Sequence, residues 1–100
     1  MNQDELYKEL LTTRTHNQVV VAIEELSEFA KELCKYLRGK VDMGHILEEY
    51  VDAMIMMEQM KMLFELKDED IQRFKNYKLI RLEERMKSNN LWKQVTNHWL

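Results

Sequence analysis

The sequence predicts an all-α protein, a bundle of about four helices completed by oligomerisation, and three observations carry that expectation. The 100 residues include no Pro and only two Gly, so the strongest helix breakers are nearly absent. Eight Met accompany many Leu, Glu and Lys, side chains that lose little freedom in a helix interior. Apolar residues return at steps of three and four over long stretches, the period of a helix face. A hydrophobic fraction of 45% with 33% charged residues suits a folded chain, and the length suits one domain over 1–100. A chain this short buries a modest share of its surface alone, so a partner copy is expected.

The elements follow in order. Residues 3–12 form a short first helix or docked arm whose apolar edge is Leu6, Leu10 and Leu11. From Asn17 to Arg38, Val19, Ile23, Leu26, Ala30, Leu33 and Leu37 lie on one face of a long amphipathic helix. Gly39 and Gly44 bracket Lys40 to Met43 and place a turn there. The third helix, His45 to Leu66, is apolar on nearly every side, which implies burial in a bundle or at a subunit interface. Asp68 is the expected N-cap of a fourth helix reaching Met86 or Lys87, with Ile71, Phe74 and Leu82 towards the core. The segment 88–100, with Trp92 and Trp99, reads as an aromatic tail.

Two acidic blocks carry the chemistry. Glu24-Glu25-Leu26-Ser27-Glu28 lies on the second helix and Glu49-Tyr50-Val51-Asp52 on the third. Residues three apart share a helix side, so Glu25 with Glu28 and Glu49 with Asp52 each aim two carboxylates one way. Antiparallel packing would gather all four. Such a cluster repels itself unless a cation joins it, and a hard divalent ion, magnesium or manganese, wants these oxygen ligands. Zinc is disfavoured because no His or Cys stands at ligand spacing, and the Glu-x-x-His pairs of di-iron bundles are absent. Acids at helical spacing are also common on solvated surfaces, and Glu25 with Glu28 alone would read so. Asp52 argues otherwise, because it interrupts an apolar run and an unpaired buried charge is costly. At about 100° per residue it shares a side with Glu49, Met56, Met60 and Leu63 and is expected to face inward or into a cleft. Glu48 and Glu58 fit equally well as ordinary surface or interface charges.

Composition limits the partners. A net charge of -3 gives no field for a nucleic-acid backbone, and no apolar stretch approaches the length of a membrane span. The single cysteine, Cys34, allows no internal disulfide and suits the cytoplasm.

The Glu-Glu-x-x-Glu block, a helical spacer and Glu-x-x-Asp together resemble the MazG-like all-alpha nucleoside triphosphate pyrophosphohydrolases. The likeness continues through Lys75 to Arg85 and covers about residues 18–87. It implies a magnesium-dependent hydrolase converting (d)NTPs to (d)NMP and pyrophosphate, with metal on Glu25, Glu28, Glu49 and Asp52. Glu24 is then left for an accessory catalytic role, orienting or deprotonating the attacking water or binding a further metal ion. Lys78 and Arg81, with Arg85 behind them, correspond to the basic residues that meet the triphosphate; without the family they would read as a solvated basic face. His16, Asn17, Gln18, Tyr36 and Trp92 are the candidates for base recognition. The rival class is a non-catalytic helical interaction or regulatory protein with an acidic, metal-binding surface. A homodimer or homotetramer is expected in either case, since short neighbours cover an all-apolar third helix poorly.

Overall fold

The computed structural model of the chain describes residues 1–88, and all regular structure among them is α-helical. The helices are α1 (Gln3–Thr13), α2 (Thr15–Leu37), α3 (Met43–Leu63) and α4 (Asp68–Lys87). The all-α expectation holds. The chain divides into two compact units, Met1–Glu65 and Leu66–Leu100, described in turn.

The boundaries in the first unit are set by local hydrogen bonding. Asn2 caps α1, its side-chain oxygen accepting from the Glu5 N–H at 2.8 Å. Arg14 alone separates α1 from α2. The end of α2 is a Schellman motif: the Lys40 N–H donates to the Lys35 carbonyl at 2.9 Å and the Gly39 N–H to that of Tyr36 at 3.0 Å. Gly39 sits at φ 77°, which explains its residue type. Gly44 plays no such part, because α3 already begins at Met43 and Asp42 caps it by accepting from the His45 N–H at 3.2 Å.

Helices α2 and α3 pack antiparallel. The Phe29 and Tyr50 rings meet edge to face with centroids 5.9 Å apart, and Glu25, earlier on α2, meets Asp52, later on α3. Helix α1 buries Tyr7 and Leu11, while Leu10 is half-buried and Leu6 exposed. The Tyr7 hydroxyl donates to Glu58 Oε1 across 51 positions at 2.9 Å, so Glu58 is an interhelical acceptor. Burial first, and then the Glu58 carboxylate, pushes the Tyr7 phenol up to about 12, which keeps it a donor at all physiological pH. Tyr7→Phe is expected to cost about 1 kcal/mol of stability, read as a lower urea midpoint at unchanged helix content.

The buried set corrects two expectations. In α2 it is not the apolar stripe that turns inward: the α3-facing positions are Gln18, Ala22 and Glu32, buried, with Glu25 and Phe29 half-buried. In α3 only Ala53, Met56 and Gln59 are buried, and Leu47, Tyr50, Met54 and Met57 stand exposed. Two neighbouring helices reach only part of the circumference of a helix that is apolar all round.

The second unit holds α4. Its first residue is Asp68, so Lys67 occupies the cap position and makes no side-chain cap, contrary to the expected role of Asp68. Asp68, Glu69 and Asp70 in the first turn instead favour the positive end of the helix dipole. No α4 residue is buried, and Ile71, Phe74 and Leu82 are exposed, not a core side. Pairs such as Arg73 with Asp70 at 3.0 Å and Lys87 with Glu83 at 2.9 Å follow the helical repeat. The tail carrying Trp92 and Trp99 lies outside the described residues. Among the described residues no helix is long and apolar enough to cross a membrane.

Candidate metal centre

The inward stripe of α2 steps by four and three through Gln18, Ala22, Glu25, Phe29 and Glu32, which carries Glu25 to the α3 side of the helix. Opposite it, Glu49 and Asp52 lie one turn apart. The result is a cluster in which Glu25, Glu49 and Asp52 each offer a carboxylate oxygen, all within 4.8 Å of one another. Three of the four sequence-assigned ligands therefore converge.

Their environments differ. Glu25 and Glu49 are half-buried, whereas Asp52 is exposed. The desolvation argument for Asp52 therefore fails: its apolar sequence neighbours Met54 and Met57 are themselves exposed, so an apolar run here does not mark a buried one. The argument transfers to Glu49, whose Oε2 is buried with no hydrogen-bond partner. A buried carboxylate oxygen left without a donor costs free energy that a cation recovers.

Electrostatics agree. The Glu25 carboxyl is raised above its ordinary value, first by burial and then by Asp52, Glu49, Glu28 and Glu24 in that order. Like charges are gathered here with no base among the cluster to offset them. An all-oxygen donor set fits a hard divalent ion such as magnesium or manganese, and a soft metal has no sulfur or imidazole in it.

Glu28 stands apart from the converging three. It is exposed, and its Oε1 accepts from Lys31 Nζ at 3.1 Å, although its charge is still felt at Glu25. Glu24 and Glu48 are exposed. Sequence reading missed Glu32, which is buried and paired with Lys35 Nζ at 3.0 Å. Its signal was available, since Glu32 lies seven residues after Glu25 on the same side of α2.

The sequence-assigned basic residues lie together on α4, in the second unit. Lys78, Arg81 and Arg85 line one crease of about 200 Å³ with Leu82, and the Arg81 guanidinium stands 5.9 Å from the centroid of the Tyr77 ring. Of the base-recognition candidates, Gln18 is buried, and His16, Asn17 and Tyr36 are exposed. Comparisons with protein-family models, with curated proteins and with solved structures found no match to this chain.

Proposed function

We propose that the protein is a magnesium-dependent nucleoside triphosphate pyrophosphohydrolase, releasing (d)NMP and pyrophosphate. One observation carries the reading: Glu25, Glu49 and Asp52 converge within 4.8 Å, and Glu49 Oε2 is buried without a partner. Glu28 joins them as a fourth ligand once it leaves Lys31, a surface pair of small strength. When bound, magnesium supplies neutralisation of phosphate charge and acidifies water. Glu24 is exposed next to Glu25 and orients the attacking water as its proton leaves. Lys78, Arg81 and Arg85, three cations lining one crease, bind the phosphate oxygens. Manganese is expected to substitute. A cytoplasmic setting suits the exposed free thiol of Cys34. A homodimer or homotetramer accompanies the reading, because exposed Leu47, Tyr50, Met54 and Met57 leave α3 with uncovered apolar surface.

A second reading has its own support. The exposure of Asp52 and the Glu28–Lys31 pair suit an acidic surface that binds a basic partner or regulates without turnover. A panel of ribo- and deoxyribonucleoside triphosphates with magnesium separates the two. The hydrolase is expected to release pyrophosphate in preference to orthophosphate, with one base favoured. An absence of both products across the panel assigns the protein to the second class.

A further inference from the structure

Among the described residues, two buried side-chain oxygens have no hydrogen-bond partner, Glu49 Oε2 and Gln59 Oε1. The first belongs to the acidic cluster. The second lies further along α3 and calls for a different partner. Gln59 is 3% exposed, and its Nε2 donates to Met56 Sδ at 3.6 Å. A thioether sulfur can only accept, so the amide turns its N–H2 towards Met56 and Oε1 is left as an acceptor without a donor. A neutral carbonyl oxygen shut away from water is completed by an N–H or O–H, and leaving it bare costs free energy.

The position of Gln59 says what could bring that donor. Phe29 on Tyr50 and Glu25 beside Asp52 set the register of α2 against α3. Seven residues further along each antiparallel helix, the same register brings Gln18, 7% exposed, to the level of Gln59. A step of seven is close to two turns, so both glutamines keep the side of their helix that Glu25 and Asp52 occupy, about 10 Å along the axis. That separation suits a nucleotide, which runs from its phosphates across the sugar to the hydrogen-bonding edge of its base. Carboxamides read such edges because each offers an acceptor and a donor in one plane.

We infer that Gln59 and Gln18 form the base subsite of a nucleotide whose phosphates are drawn to a metal at Glu25, Glu49 and Asp52. Gln59 Oε1 accepts from an N–H of the base edge, and the Gln18 amide meets the group beside it. The inference rests on the nucleotide reading of the acidic cluster and adds what selects the base. Because Met56 occupies the Gln59 N–H2, Gln59 demands a donor at one point of the edge. A base with an acceptor there is rejected, since two lone pairs would face each other away from water. The subsite opens from under α1. That helix packs on both α2 and α3, its Tyr7 bonds to Glu58 next to Gln59, and Arg14 alone joins it to α2. Entry of a base therefore requires α1 to lift about Arg14.

The test combines binding and stability on the full chain. Titration calorimetry with the four ribonucleoside monophosphates in the presence of magnesium is expected to rank them for wild type. Gln59→Met keeps the length of the side chain and removes the acceptor. It is expected to shrink the ratio between best and worst base about 10-fold or more. It should also raise Tm, because the unmet oxygen is gone. An unchanged ranking in Gln59→Met overturns the inference, and a lower Tm with it assigns Oε1 to a buried water. Should Gln59→Met fail to fold, wild type still decides: the NMR signals of the Gln59 side-chain amide should shift when the preferred monophosphate is added, and their constancy overturns the inference. Wild type that binds all four equally, or none, does the same. The hydrolase reading fails separately, on absent pyrophosphate release from triphosphates, because the monophosphate titrations need no turnover.

Discussion

Glu49→Gln is expected to abolish most magnesium-dependent turnover, lowering pyrophosphate release on the order of 100-fold or more at saturating nucleotide. The substitution keeps the shape of the side chain and removes its charge, so the helices should stay packed. The expected magnitude is greatest here because Glu49 is the carboxylate whose Oε2 is buried and unpartnered. Asp52→Asn should act in the same direction with a smaller effect, since an exposed position admits solvent ligands in its place. Titration calorimetry with magnesium provides the check independent of turnover: the wild type binds, Glu49→Gln binds far more weakly, and Glu48→Gln, on an exposed neighbour, is unchanged. Wild-type affinity in Glu49→Gln would remove Glu49 from the site.

The second large effect concerns stability. Glu25 has its carboxyl raised in the folded state, by burial and by the surrounding acids, so the folded chain holds a proton more tightly than the unfolded chain does. Where the folded state binds more protons, stability falls as pH rises. The metal-free protein is therefore most stable at acidic pH with respect to this group. It loses that contribution as pH climbs from the ordinary carboxylate value through the raised one. Magnesium is expected to reverse the penalty, since at a hundred times its dissociation constant any ligand specific to the folded state adds about 2.7 kcal/mol. For a domain of this size that corresponds to a rise in Tm of roughly 10 °C or more. Glu25→Gln is expected to raise the metal-free Tm at neutral pH, flatten its pH dependence and abolish most of the magnesium response. Differential scanning calorimetry across pH, with and without magnesium, reads all three. A Glu25→Gln variant that melts below wild type without metal would show that the cluster is held by contacts other than the ion.

These expectations draw unequally on sequence and structure. Helix content was legible because Pro is absent and apolar residues repeat at helical spacing, and the turn was legible at Gly39 because a Schellman motif demands the left-handed conformation there. The pairing of the two acidic blocks was legible because the side of a helix on which a residue lies depends only on its spacing. Which side turns inward was not. The apolar face of α2 competes with a polar one for the neighbouring helix, and α3, apolar all round, accepts either. The polar stripe of Gln18, Glu25 and Glu32 took the inside, which pattern reading assigns to aliphatic residues. For the same reason the burial of Asp52 was misjudged and that of Glu49 undervalued. Glu58 as the partner of Tyr7 had no signal at all, since nothing local links positions 51 apart.

The Gly39 turn has a consequence for how this chain can vary. It fixes where α2 ends and so sets the rotational phase of everything upstream, including Glu25, nearly four turns before it. One residue added to the helical spacer between Phe29 and Leu37 would swing the first acidic block about 100° around the axis, off the face that meets Glu49. Seven added residues, close to two turns, would bring it back in phase but displace it about 10 Å along the bundle, beyond the reach of Asp52. Only a matching extension of α3 restores both. The two helices are thus geared together: the spacer can lengthen only in paired, whole-period steps, and a sequence that slips by a single residue keeps its helices but loses the place where the carboxylates meet.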